Sequence, residues 1–164
     1  EAQLDRFLMH VIITYPSGSE EKAILHLARN EARTAQSASG EAEHIIREQD
    51  VFDARRAVLD MYLSDDLEQY LLEIVLATRN PGTYGDDLAE WIEYGASPRA
   101  TIALDRCARS HAWIDGRDYV GPEDIQAIAS DVLRHRIILN YEAAADGITA
   151  DQFVTELISR VAVP

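Results

Sequence analysis

The near-continuous apolar run from Phe7 to Ile13, closed by Pro16, Ser17 and Gly18, restricts the fold more than any other stretch of this chain. Being apolar on both alternating faces, it reads as a strand buried on two sides. A strand of that kind needs neighbours, and the remaining sequence offers no second convincing strand to pair with it. The run therefore predicts a sheet whose other strands lie N-terminal to Glu1, and the missing initiator Met agrees with a fragment.

After Pro16 the pattern turns helical. "SEEKAILHLARNEAR" offers Ser19 as a cap and Glu20 and Glu21 for the first turn, with Ile24, Leu27 and Ala28 on one face. The small polar stretch "TAQSASGEAE" reads as a loop. Helices resume near Asp50 with "DVFDARRAVLDMY" and "SDDLEQYLLEIVLATRN", the latter capped by Ser64 and stopped at Asn80, Pro81 and Gly82. Beyond Ser97, a turn of about 100° per residue places Ala100, Ala103, Leu104, Cys107, Ala108, His111 and Ile114 on one face. Arg99, Ile102, Arg106, Arg109 and Trp113 fall on a second face, and Gly116 ends the helix. "GPEDIQAIASDVLRHRII" and "ITADQFVTELISRVAV" supply shorter helices, with Pro122 in a first turn and Thr149 as a cap.

Length and composition bound the function. A chain of 164 residues can bury roughly two thirds of its surface. No apolar run approaches the roughly 18 residues of a membrane span and "EAQLDRF" is no leader, which predicts a cytoplasmic protein without membrane insertion. The net charge of −14 would repel a phosphate backbone and favours protein or small-molecule partners over nucleic acid. A lone cysteine, Cys107, excludes an internal disulfide.

A phosphate cradle of the form G-x-x-x-x-G-K-[ST] requires a lysine, and the single lysine, Lys22, lies in "SEEKAIL" without the glycines. No apolar strand ends in Asp-Glu to hold Mg²⁺ either, so the chain is not a complete nucleotide hydrolase. Cys107 with His111, and His44 with Glu48, have i, i+4 spacing but no third ligand nearby. Core packing accounts for the first pair and a solvated helix face for the second, and no metal site is assigned.

The stretch "GASPRA" at 95–100 poses a puzzle. Ser97 and Pro98 announce a helix start, yet Arg99 then sits beside unpaired N–H groups and a positive dipole end, where a cation is unfavourable by a few tenths of a kcal/mol. A phosphate bound there would reverse that penalty. Arg6, by contrast, has a simple local partner in Asp5.

Together "EAQLDRF", "YP" and "GASPRATIALDRCARSHAWIDGRDYVGPEDIQAIASDVLRHRIIL" resemble the C-terminal part of MoxR-type AAA+ ATPases. The resemblance implies a mainly α chain: residues 1–16 carry the last strand and finger segment of an α/β ATPase core, and 17–164 form a helical lid. It implies that Arg6 is an arginine finger acting in trans and that Arg99, presented by Ser97 and Pro98, is the sensor 2 arginine acting in cis. It further implies ATP and Mg²⁺ in the full-length protein and a homo-oligomeric ring, commonly a hexamer. The partners implied are a von Willebrand factor A domain protein and remodelled protein substrates. "RDYVGPEDI" and "VLRHRI" match as well, but Arg134, His135 and Arg136 receive no chemical role. A rival reading is a stand-alone acidic interaction module whose Arg99, Arg106 and Arg109 bind an acidic partner helix.

Overall fold

The computed structural model describes residues 3–34 and 46–164. Its elements are a 3-10 turn at Leu4–Arg6, helices α1 (Gly18–Thr34), α2 (Glu48–Leu59) and α3 (Asp65–Arg79), a 3-10 turn at Pro81–Thr83, then α4 (Asp86–Trp91) and β1 (Ile92–Tyr94). These are followed by α5 (Pro98–Ile114), α6 (Pro122–Leu133), β2 (Ile138–Leu139), α7 (Tyr141–Ala145) and α8 (Ala150–Arg160). The chain is mainly helical, as its periodicity indicates. It divides into two compact units: one comprises the chain up to Val11 with Phe52–Pro164, the other Ile12–Val51.

In the Ile12–Val51 unit, α1 is capped by Ser17 rather than Ser19. The Glu20 N–H donates to the Ser17 hydroxyl, and the Glu20 carboxylate accepts from the Ser17 N–H at 2.7 Å, the reciprocal bonds of a capping box. Ile24 and Leu27, placed together by periodicity, are exposed. Residues 35–43 of the expected loop, and His44, lie outside the described residues.

The larger unit holds the core. Leu71, Ile74 and Val75 of α3, Ala100, Leu104 and Ala108 of α5, Ile125, Val132 and Leu133 of α6, and Phe153, Val154 and Leu157 of α8 are all buried. Each large apolar side chain buried in this way contributes about 1.5–3 kcal/mol. The helix starts follow the capping chemistry of the sequence: the Ser64 hydroxyl accepts from Leu67, and Thr149 and Gln152 form a reciprocal pair. At the end of α5, Gly116 (φ +76°) allows the Arg117 N–H to reach the Ala112 carbonyl at 3.0 Å, and its own N–H reaches the Trp113 carbonyl at 3.0 Å. This is a Schellman ending. Ala112 joins the core stripe, whereas Ile114, the last helical residue, is exposed.

Two features concern the strands. Residues 7–13 enter no ladder among the described residues, and Phe7, Val11, Ile12 and Ile13 are exposed. A strand exists through its pairing; the partners expected for this run lie N-terminal to Glu1, and among the described residues it forms neither a ladder nor a buried face. The sheet that does form is small: β1 and β2 pair antiparallel, Ile92 opposite Leu139. Strands of three and two residues are too short to show an alternating pattern.

Candidate functional site

The site is built where α3 ends and α5 begins. Gly95 passes so close to α3 that a Cβ there would lie 2.4 Å from the Thr78 carbonyl oxygen. That contact admits glycine alone. The next residue, Ala96, is buried; its N–H donates to the Thr78 hydroxyl at 3.0 Å, and its carbonyl accepts from Arg79 Nε at 2.8 Å. Thus held, the chain turns at Ser97, whose hydroxyl accepts the Arg99 N–H at 3.2 Å, and Pro98 opens the helix. The sequence reading found Ser97, Pro98 and Arg99 but not the Gly95–Thr78 joint that positions them.

The anion at this helix start comes from the chain itself. The Ser97 hydroxyl donates to the Asp5 carboxylate, with its oxygens at 3.0 and 2.9 Å. The Arg99 guanidinium, about half exposed, lies 3.8 Å from the same carboxylate, and Arg136 Nε lies 3.2 Å from it. The unfavourable position of Arg99 is thereby offset by a negative group at the helix N-terminus. Asp5 consequently does not pair with Arg6, the partner its neighbouring position suggests. The Arg6 side chain is exposed and makes no hydrogen bond or ion pair among the described residues. A cavity of about 470 Å³ opens beside these groups, lined by Leu4, Asp5, Tyr94, Ser97, His135 and Arg136 among others.

Arg134, His135 and Arg136, left without a role by sequence, converge on the main chain of residues 5–10. Arg136 donates to the carbonyls of Asp5 and Leu8 at 3.2 Å each, and to those of Phe7 and Val132. His135 Nε2 meets the Phe7 carbonyl at 3.3 Å, and Arg134 donates to the His10 carbonyl. The His10 N–H donates in turn to the Asp131 carbonyl at 2.7 Å. Burial depresses the Arg136 pKa below its usual value, opposed by the Asp5 charge. Burial and the adjacent Arg136 cation depress His135 also, and favour a neutral ring that donates through Nε2 and leaves Nδ1 without a partner.

The other candidates resolve into structural roles. His111 turns to Asp124, Nδ1 to Oδ1 at 2.6 Å. Asp124 is fully buried; it also accepts from the two terminal guanidinium nitrogens of Arg117 and from the Gly121 N–H at 2.8 Å. Burial alone would raise its carboxyl, but these donors outweigh it and hold the pKa at about 2. His111, Asp115 and Asp124 stand close enough to share a metal ion, yet Arg117 already supplies the positive charge there. Cys107 is buried, and burial pushes its thiol above the usual range. That opposes a nucleophilic role. Arg109 is tied to Asp105 at 2.7 Å and to the Met61 carbonyl, which withdraws it from a free arginine stripe.

Residues 87–157, which include α5 and α6, match the model of the AAA lid domain. The chain is 36% identical over 165 residues to Chaperone MoxR1 of Mycobacterium tuberculosis, an alignment covering all of this chain and 42% of that protein. It is 30% identical over 145 residues to Protein MoxR of Paracoccus denitrificans, covering 85% of this chain and 43% of that one. A crystal structure of a candidate ATPase from Cytophaga hutchinsonii superposes with a TM-score of 0.86 at 38% identity, over 99% of this chain and 48% of that chain. This chain spans less than half the length of these curated relatives. It carries an AAA lid domain and belongs, as a C-terminal lid part, with the MoxR-type AAA+ ATPases.

Proposed function

We propose that the chain supplies two arginines to ATP hydrolysis in a ring of subunits: Arg99 in cis as sensor 2, and Arg6 in trans as a finger. The observation that carries this reading is the arrangement of Asp5, Ser97 and Arg99 at the start of α5. An anionic group already sits there, held by the Ser97 hydroxyl at 2.9–3.0 Å but by Arg99 only at 3.8 Å. A phosphate oxygen asks for the same donors, a guanidinium and a helix N-terminus, so the donor set fits it. A half-exposed guanidinium with so loose a partner is free to exchange carboxylate for phosphate.

ATP, when bound, supplies the γ-phosphoryl group, whose transferred charge a positioned arginine stabilises in a water-poor cleft. Ser97 and Pro98 fix the turn from which Arg99 reaches. Arg6, exposed and without a partner among the described residues, is available to an adjacent subunit. Finger arginines contribute on the order of 10³ to 10⁵ in rate. No residue of this chain is assigned to Mg²⁺. A hexameric ring remodelling protein complexes, together with a von Willebrand factor A domain protein, completes the reading. The chaperone name of the Mycobacterium relative and the −14 charge, which disfavours nucleic acid, support it.

Mixed rings of the full-length protein test it. Arg6→Ala subunits lack the finger and P-loop-disabled subunits lack the cradle, so each pure ring is expected to be inactive. Mixing them joins some intact cradles to intact fingers, and hydrolysis is expected to return. The same mixing with Arg99→Ala is expected to restore nothing, because sensor 2 serves its own subunit. Rescue of Arg99→Ala but not of Arg6→Ala overturns both assignments.

A further inference from the structure

We propose that Arg136 is a positioning residue for Arg6, the central member of a clamp that fixes the backbone on both sides of Arg6 while leaving its side chain free. The inference rests on the reading of Arg6 as a finger. A finger must present its guanidinium to another subunit at a defined place, and that requires a held main chain beneath an unencumbered side chain. Beyond the attachment of Asp5 to Ser97 and Arg99, little apolar burial holds residues 4–8. Leu4, Phe7 and Leu8 are exposed.

The grip is polar and is directed at the main chain. The Arg136 side chain is only 2% exposed, and its planar fork of donors meets the carbonyls of Asp5, Phe7 and Leu8 while Nε faces the Asp5 carboxylate. These acceptors bracket Arg6 in sequence. His135 adds a second donor to the Phe7 carbonyl, and Arg134 secures the next stretch at the His10 carbonyl. Arg136 also donates to the Val132 carbonyl, which ties the fork to α6, itself part of the buried core. Lysine could pair with Asp5, but a single ammonium cannot span four carbonyls as a guanidinium fork does. Because Asp5 is shared by Arg136, Ser97 and Arg99, the clamp also places the turn carrying Arg6 in register with the start of α5.

The test uses the full-length protein with Arg136→Met, Arg136→Lys, Arg6→Ala and the double variant Arg6→Ala/Arg136→Met. Amide hydrogen exchange, nucleotide affinity measured with a fluorescent ATP analogue, thermal midpoint and hydrolysis rate are followed. Exchange at residues 7–10 is expected to quicken about tenfold or more in Arg136→Met, while α5 and α6 stay within about twofold. Hydrolysis is expected to fall about ten- to a hundredfold with analogue affinity within about twofold. Arg136→Lys is expected to recover the thermal midpoint but not the rate. The double variant is expected to be no slower than Arg6→Ala alone, since a misplaced finger that is already absent costs nothing further.

Should Arg136→Met fail to fold, the lysine variant decides by the same exchange and rate criteria. Rate losses that multiply in the double variant overturn the assignment of Arg136 and leave the finger reading intact. So does a lysine variant with both midpoint and rate restored, which marks a purely structural charge. Unaltered hydrolysis by Arg6→Ala overturns the finger reading itself, and the clamp's purpose falls with it.

Discussion

The Asp5 carboxylate and the Ser97 hydroxyl meet at 2.9–3.0 Å although 92 positions separate them in sequence. A segment that enters no ladder among the described residues is thereby fastened to the cap of the longest core helix of the larger unit. Two cations share the attachment unequally: Arg136 is almost fully buried against Asp5, and Arg99 is about half exposed.

That inequality separates two substitutions. Asp5→Ala leaves the buried Arg136 guanidinium without its carboxylate and is expected to destabilise the chain by about 1–3 kcal/mol in urea denaturation. Arg99→Ala removes only a loose, half-exposed pair and is expected to change stability by less than about 0.5 kcal/mol, with helical circular dichroism unchanged. In the full-length protein the same Arg99→Ala is expected to slow ATP hydrolysis. Marked unfolding on that change would assign Arg99 a structural role.

Gly95→Ala places a methyl group against the Thr78 carbonyl, where the nearest approach is 2.4 Å. Backbone cannot swing aside as a flexible side chain can, so a loss of about 1–3 kcal/mol is expected from denaturant unfolding. A variant as stable as the parent would show that α3 and α5 are not rigidly joined.

Asp124 should make stability sensitive to acid. Its folded pKa of about 2 lies below the ordinary aspartate value of 3.8, so the unfolded chain binds the proton more readily. The resulting stabilisation, about 2 kcal/mol, is complete above the unfolded pKa and is lost as pH falls towards 2. Asp124→Asn is expected to be less stable at neutral pH and to lose less further stability between about pH 4 and pH 2. Parallel denaturation curves for parent and variant over that range would refute the account.

Cys107 should resist thiol reagents near neutral pH. Burial raises its pKa and hides the sulfur, so disulfide-exchange reagents are expected to label it only as fast as the larger unit opens. Rapid labelling under native conditions would show an accessible thiolate.

Much of this could be read from local chemistry. The caps at Ser64, Ser97 and Thr149, the prolines opening α5 and α6, and the glycine ending α5 each act within one helical turn, and the sequence displays such turns directly. Arg99 stood out for a related reason, since its charge opposes its local helix dipole. What escaped was long-range or main-chain chemistry. Arg136 touches carbonyls, which every residue has, so no complementary side chain at 5–8 announces it. Asp5 looks like a partner for Arg6 until folding brings Ser97 and Arg136 closer to it. Asp124 reads as an ordinary first-turn acid and reveals its burial only when Arg117 and His111 close over it.

The Gly95 joint has a mechanical consequence. A main-chain atom pressed against a main-chain atom has almost no compliance, so the end of α3 and the start of α5 transmit force as one solid elbow. A pull on the Arg99 guanidinium is then carried through Ala96 and Thr78 into α3 and onward to the Pro81–Thr83 turn, where Tyr84 is bound by Arg160 of α8. Movement at that side chain is therefore expected to rotate packed helices rather than bend a loop.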